Sequence, residues 1–204
     1  PGPAPLGVTG PDEGLEERVR DQGLGLELGM ELAAEEPGMV RGLDDLEHLL
    51  DDSLTNETYA LNPVPGFTSG IGPHVRHILD HLEALLHAAE SCGVIDYDRR
   101  ERGTPEETSR MAGIKRLQTL RSRLWATTFP SDETSCDIRI MLASDAPPEL
   151  IKSSWSREIM YVFQHTLHHL ALMASIARIC GDETPTQIGM APSTPVDGAP
   201  PCAH

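Results

Sequence analysis

Three histidines fall within five residues of an otherwise apolar stretch, "REIMYVFQHTLHHLALMASIARI", residues 157–179. His165 and His169 are four residues apart, so on a helix they lie about 40° apart on one face. Two imidazoles at this spacing can bind one metal ion through their ring nitrogens. His168 shares a side with the polar residues and is predicted at the boundary of that face. Thr166 stands where a zinc protease helix carries glutamate, so this pattern does not indicate a protease.

A second histidine-rich stretch could supply a third ligand. His74, His77 and His81 lie within about 60° of arc on a predicted helix whose apolar centre is near Ile78 and Leu82. Periodicity favours His74 or His81 over His77 and does not decide between them. The alternative is that each histidine is an ordinary hydrogen-bonded core residue. A buried imidazole without a partner costs about 1–3 kcal/mol, however, and a shared metal ion would satisfy a pair.

The charge of the chain excludes some classes of partner. The formal net charge is −16, and residues 1–57 hold 15 acidic and 3 basic residues, so −12 of it lies there. Nucleic acids and anionic membranes are not expected partners, because binding them requires clustered basic residues. No apolar run reaches the ~18 residues of a membrane span. The four cysteines have no C-x-x-C spacing, so a reducing compartment, the cytoplasm, is the expected location.

The distribution of apolar residues predicts one helical domain between two tails. Residues 1–38 and 195–204 are rich in Pro and Gly and are predicted to be disordered, while residues 39–194 form the domain. Residues 137–143 alternate in polarity and could form a short extended segment. The predicted fold is all-α, a four-helix bundle with long connectors. The helices are expected to begin near Met39, Ile71, Thr104 and Ser153.

Polar residues near the histidines are candidates for substrate binding and catalysis. Tyr97, Arg99 and Arg102 lie in the connector "DYDRRER", where an arginine could bind a carboxylate in bidentate fashion. Glu158 projects from the same helical face as His165. It could act as a general base, or it could orient a metal-binding histidine as a carboxylate in the outer coordination shell. The alternatives are a solvated loop and a glutamate that pairs with an arginine across the bundle.

Four segments carry a resemblance to a known family. In order, they read "SGIGPHVRHILDHLEALL", "IDYDRRERGTPEET", "SREIMYVFQHTLHHLALMASIA" and "IGMAPST". At this order and spacing they resemble the DinB-like superfamily of metal-binding four-helix proteins, in a poorly characterised branch. The resemblance covers residues 39–194. Pro73 departs from the usual polar residue of that branch, although proline is tolerated in the first turn of a helix.

The resemblance implies a metal site and a class of reaction. In the superfamily, a histidine of the second helix joins H-x-x-x-H of the last helix, which implies His77, His165 and His169 as metal ligands. His74 is the substitute for His77, and His81 has no counterpart in the pattern. The ion would be Zn, Ni or Fe, since imidazole binds them all.

The function expected from this site is a metal-dependent transferase of thiol-transfer type, or a hydrolase. The substrate would be a small molecule such as a low-molecular-weight thiol, and a homodimer is left open. The alternative is a non-enzymatic, stress-associated module in which the ion has a structural role.

Overall fold

A computed structural model describes residues 37–91, 93–131 and 133–194 of the 204-residue chain. The helices in chain order are α1 (Pro37–His48), which continues into a π-helical turn (Leu49–Ser53), α2 (Asn56–Ala60), α3 (Ile71–Ser91), α4 (Arg110–Ala126) and α5 (Trp155–Cys180). The long helices pack side by side: α3 contacts α4 and α5, and α1 contacts α5. A 3₁₀ turn (Pro105–Glu107) precedes α4.

A three-stranded mixed sheet lies beside these helices, so the all-α prediction is wrong. Its strands are β1 (Val94–Asp96), β2 (Ser135–Ile140) and β3 (Glu149–Ser154), in the order β1-β2-β3. β1 pairs with β2 in parallel, and β2 pairs with β3 in antiparallel fashion. β2 overlaps the extended segment expected at 137–143. β1 is only three residues long, and β3 is largely exposed, so neither has the alternating pattern of a half-buried strand.

Local capping signals set the ends of the long helices. The Ser109 side chain accepts a hydrogen bond from Ala112 N at the start of α4, and Ser154 accepts one from Arg157 N at the start of α5. Gly181 ends α5 with φ +97°, a left-handed conformation that glycine adopts without strain. Ser154 and Gly181 thus set where α5, the helix that carries the H-x-x-x-H sequence, begins and ends.

The core is built from the apolar faces of the helices. Leucines dominate it, and α3 alone buries seven aliphatic side chains on the face turned towards α4 and α5: Ile71, Val75, Ile78, Leu79, Leu82, Leu85 and Leu86. Burying an aliphatic side chain of this size contributes about 1.5–3 kcal/mol. This packing holds α3 and α5 close together along their length, which brings their histidines within reach of one another.

A close backbone contact holds the 99–107 segment against α3. A β-carbon on Gly72 would collide with the carbonyl group of Glu107. Glycine at this position therefore lets the 3₁₀ turn lie directly on the first turn of α3. Arg76, one turn later, binds the same segment through Glu107 at 2.7 Å. The charged connector "DYDRRERGTPEE" is consequently fixed beside α3 near its histidines.

The predicted tails lie almost wholly outside the described residues, namely at 1–36 and 195–204, and the division into tails and domain stays a prediction. The first helix begins at Pro37, two residues before the predicted domain start. Within the described ranges, no helix is both long enough and apolar enough to cross a membrane.

Candidate metal centre

Helices α3 and α5 bring five histidines into one cluster. The packing of α3 against α5 places His74, His77 and His81 opposite His165 and His169. His81 and His169 are buried, and the other three are half-buried. The cluster is therefore partly open to solvent.

Three of these histidines meet through their Nε2 atoms. His165 Nε2 lies 2.9 Å from His77 Nε2 and 3.2 Å from His169 Nε2. Adjacent ligand nitrogens around a tetrahedral zinc ion with Zn–N bonds of about 2.0–2.1 Å are separated by about 3.3 Å. The observed spacings are close to that value, so a small inward or outward movement of the rings would accommodate an ion.

The orientation of the three rings also suits a common ion. A metal ion lies in the plane of each imidazole that binds it, because the nitrogen lone pair lies in that plane. The ring planes of His77 and His165 make an angle of 72°, those of His165 and His169 an angle of 77°, and those of His77 and His169 an angle of 86°. Rings inclined in this way, unlike stacked rings, allow their in-plane lone pairs to converge on a single ion.

Among the described residues, the set of three whose ligand atoms all lie within 4.8 Å of one another is His77, His81 and His165, with His81 in place of His169. The His81 and His165 rings, however, are stacked, with centroids 4.3 Å apart and planes only 25° apart. Nearly parallel, stacked rings cannot both direct in-plane lone pairs at one nearby ion. The geometry therefore favours His169 over His81 as the third ligand.

His74 and His168 lie at the edge of the triad formed by His77, His165 and His169. His74 Nδ1 is 3.0 Å from His169 Nδ1, so one of these nitrogens can donate its proton to the other. If His169 donates, its Nε2 carries a free lone pair directed at the triad, which is how outer partners orient metal-binding histidines. His168 is exposed and touches only the edge of the His169 ring, with centroids 5.2 Å apart.

The surroundings keep the clustered imidazoles neutral. Desolvation, together with smaller effects of charge on neighbouring histidines, lowers the pKa of His81 to about 4 and that of His169 to about 3. Desolvation is also the largest cause that lowers the pKa of His74, His77 and His165. A neutral imidazole is the form that binds a metal ion, because its lone pair is free.

Glu158 reaches the cluster only through intermediaries. Its carboxylate is fully buried and accepts hydrogen bonds from Ser153 Oγ at 2.6 Å, from Tyr97 Oη at 3.1 Å and from Arg157. The Tyr97 ring in turn stacks on His81, with centroids 5.0 Å apart and planes 10° apart. Glu158 thus orders Tyr97 beside the histidines, and its role as a general base stays a prediction.

The arginines of the connector differ in position. Arg99 lines a cleft next to α3, whereas Arg102 is exposed and has no ion pair among the described residues. Arg100, which sequence reasoning did not select, lies nearest the cluster: its positive charge helps to lower the pKa of His77, His81 and His165. Adjacent arginines in one loop look alike in sequence, so only the loop conformation distinguishes them.

Comparison with known proteins finds one partial match. The chain is 29% identical over 119 residues to FK506-binding protein 5 of Rhizopus delemar. The match covers 56% of this chain and 30% of that protein, so the chain spans less than a third of the relative's length. No family model matches the chain. No solved structure matches it either.

These comparisons overturn the resemblance to the DinB-like superfamily. No family model supports that assignment, and the curated match carries the name of a different family. The description as a DinB-like four-helix bundle is also wrong, because the fold includes the sheet β1-β2-β3. The short quoted segments carried the resemblance, and their histidine spacing can arise in any pair of packed helices. The support for His77, His165 and His169 as metal ligands is therefore their geometry alone.

Proposed function

We propose that the protein binds one divalent metal ion through Nε2 of His77, His165 and His169. The observation that carries the proposal is the close meeting of three neutral Nε2 atoms, with neighbours 2.9 Å and 3.2 Å apart. Hydrogen bonds alone do not satisfy this arrangement well. His165 Nε2 has either one proton or one lone pair, so it can form a good hydrogen bond with only one of its two neighbouring Nε2 atoms. An ion at the centre would bind all three.

The proposed site has room for chemistry on a small molecule. Three neutral protein ligands leave at least one coordination position for water or substrate, as in catalytic rather than structural sites. His77 and His165 are half-buried, so solvent can approach them. A metal-bound water can be deprotonated near neutral pH, which would support a hydrolase. Thiol transfer rested on the overturned resemblance and stays a prediction without other support.

The identity of the ion follows from its ligands only as a class. Imidazole binds Zn, Ni and Fe(II), and the N–N spacings do not select among them. Zinc is the first ion to test because it has no redox chemistry of its own. The expected hydrolase has an alternative, the module in which the ion has a structural role. These two functions differ in what removal of the ion does to the fold.

Titration of untagged, metal-free protein with Zn²⁺ against a chromophoric chelator tests the proposal. We expect saturable binding of one ion per chain, and loss of that binding in the double variant His165→Ala/His169→Ala. Circular dichroism before and after chelation then separates the two functions. A reactive site should empty with the helices retained, whereas a structural ion should be needed for folding. Failure of the parent protein to bind zinc, or equal binding by the double variant, would overturn the proposal.

A further inference from the structure

His81 is a buried histidine of the cluster that the proposed metal site does not use. It is only 3% exposed, and its ring lies between two others. The Tyr97 ring stacks on one side, with centroids 5.0 Å apart and planes 10° apart. The His165 ring stacks with it as well, with centroids 4.3 Å apart and planes 25° apart. The stack fixes the plane in which the His81 nitrogens lie.

One hydrogen bond determines which nitrogen of His81 carries the proton. Its Nδ1 atom lies 2.9 Å from the backbone carbonyl oxygen of His77, one turn earlier on α3. A carbonyl oxygen only accepts hydrogen bonds, so Nδ1 of His81 is the donor and carries the proton. In the neutral ring Nε2 is then an acceptor, with its lone pair in the plane of the ring.

The Nε2 atom of His81 has no donor within the described part of the chain. Leaving an acceptor of a buried side chain without a donor is unfavourable. The Nδ1 atom of His77 is both buried and unpaired, whereas Nε2 of His81 is not closed off from solvent. A donor that is not part of the chain can therefore reach it.

This unpaired nitrogen belongs to a ring beside the proposed ion. Ligand nitrogens of His77, His81 and His165 lie within 4.8 Å of one another. An ion bound to His165 lies in the plane of that ring, and the His81 ring is stacked 4.3 Å away. A metal–oxygen bond of about 2.0–2.2 Å followed by a hydrogen bond of about 2.8 Å is long enough to span this separation. One small molecule at the open coordination position can thus contact both the ion and His81.

We propose that His81 selects the molecule that occupies the open position of the metal site: its Nε2 atom accepts a hydrogen bond from that molecule, so the site takes a ligand that carries hydrogen in preference to an anion that carries none. The inference rests on the proposed metal site. Water, the attacking group of a hydrolase, has hydrogens for this bond. A thiolate has none on its sulfur, which would face the His81 lone pair. His81 thus determines specificity without being a metal ligand.

Two anionic probes of the cobalt-loaded, full-length protein test this preference. The anion of trifluoromethanesulfonamide keeps one N–H on the atom that binds a metal ion, and azide carries no hydrogen. The visible absorption of cobalt reports the binding of each. In His81→Phe the sulfonamide should bind about fivefold or more weakly, because a hydrogen bond is lost, and azide should bind at least as tightly as in the parent. The same change in both affinities would overturn the proposal.

Matched variants separate loss of the acceptor from a change of shape. His81→Phe keeps a ring between Tyr97 and His165, whereas His81→Leu does not, and both remove the acceptor. Both should shift the ratio of the two affinities in the same direction. His168→Ala is the control, because it removes an exposed imidazole of α5 and should leave both affinities as in the parent. Opposite shifts in the two His81 variants, or an equal shift in His168→Ala, would contradict the assigned role.

Nitrogen-15 NMR of the zinc-loaded parent protein tests the same role without a substitution. We expect the proton of the His81 ring on Nδ1 and none on Nε2. A proton on Nε2 would make that atom a donor and overturn the proposal.

The metal content of each protein separates failure of this proposal from failure of the metal site. One cobalt ion per chain in the parent and in His81→Phe, with equal changes for the two probes, overturns the role of His81 and leaves the metal site standing. No cobalt bound by the parent overturns both. Loss of the ion from His81→Phe, with the helices retained, would make His81 a ligand and overturn its role as an acceptor.

Discussion

Nε2 of His77 on α3 lies 2.9 Å from Nε2 of His165 on α5. These residues are far apart in sequence, and the contact forms because the apolar faces of the two helices pack together. His169 joins them from one turn further along α5, with its Nε2 atom 3.2 Å from that of His165. The arrangement combines two features that suit a metal ion, close neutral nitrogens and rings that are steeply inclined to one another instead of stacked.

The identity of the third ligand can be tested by paired substitutions. His169→Ala should lower zinc affinity by at least 100-fold, because it removes a ligand. His81→Ala should keep stoichiometric zinc, because the stacked His81 ring does not point at the proposed ion. Cobalt-substituted protein gives the measurement, since its visible absorption reports changes in the ligand set. Zinc lost from His81→Ala and kept by His169→Ala would reverse the assignment.

His168→Ala is the matched control for those variants. It removes an imidazole from the same turn of α5, but one that is exposed and meets only the edge of the His169 ring. Zinc binding and the cobalt spectrum should match those of the parent. A large loss of zinc in this variant would mean that α5 presents a different face to the ion.

His74 should act as an outer partner of the metal site. Its Nδ1 lies 3.0 Å from Nδ1 of His169, and outer partners of this kind typically alter metal affinity about 10- to 100-fold. His74→Phe should therefore weaken zinc binding within that range, measured by competition with a chelator, and leave one ion per chain at saturation. Complete loss of zinc would instead make His74 a ligand, the substitute role that the sequence left open.

The metal-free protein should lose stability as the pH falls below about 6.5. Burial lowers the folded-state pKa of His81 to about 4, from an ordinary value of 6.5, so the unfolded chain binds more protons between these values. The contribution of His81 to the free energy of unfolding is therefore complete above pH 6.5 and is lost as the pH falls towards 4. One histidine with this change of pKa should lower the free energy of unfolding by about 2 kcal/mol between pH 7.5 and pH 5.

Urea unfolding in the presence of a chelator, from pH 7.5 to pH 5, measures this loss. His81→Asn should flatten the profile, because it removes one of the groups that titrate only in the unfolded chain. A stability that rises on acidification, or that does not change over this range, would contradict the lowered pKa values of the cluster.

Glu158 should contribute more to stability than to metal binding. The fully buried carboxylate accepts hydrogen bonds from Tyr97, Ser153 and Arg157. Glu158→Gln should cost about 1–3 kcal/mol of unfolding free energy, because it replaces a charged acceptor in a buried network. The control Gln164→Ala changes an exposed position of the same helix and should stay within about 0.5 kcal/mol. Loss of zinc from Glu158→Gln would show that Glu158 acts directly at the site.

The sequence predicted the helices better than the sheet. Long apolar stripes over α3 and α5 are strong local signals, and they located the histidines on helices. β1 has three residues, and β3 exposes Leu150 and Ile151, so these strands depend on pairing with β2 and not on their own pattern. Such long-range pairing is not visible in a local window, and the all-α prediction failed for that reason.

The candidate site shows a similar division. The spacing of His165 and His169 predicts their shared face from the sequence alone. The choice among the α3 histidines needs the rotation of α3 against α5, and periodicity ranked His77 last although its Nε2 atom lies 2.9 Å from that of His165. The position of Arg100 depends on how the connector lies on α3, which no pattern of charges encodes.

A crystal of the zinc-loaded protein, measured at the zinc absorption edge, tests the central claim most directly. We predict one anomalous peak per chain between α3 and α5, about 2.0–2.1 Å from Nε2 of His77, His165 and His169. The same measurement on His165→Ala crystals should give no peak there. A peak bound by other residues, or no ordered zinc in crystals of the parent protein, would contradict the account.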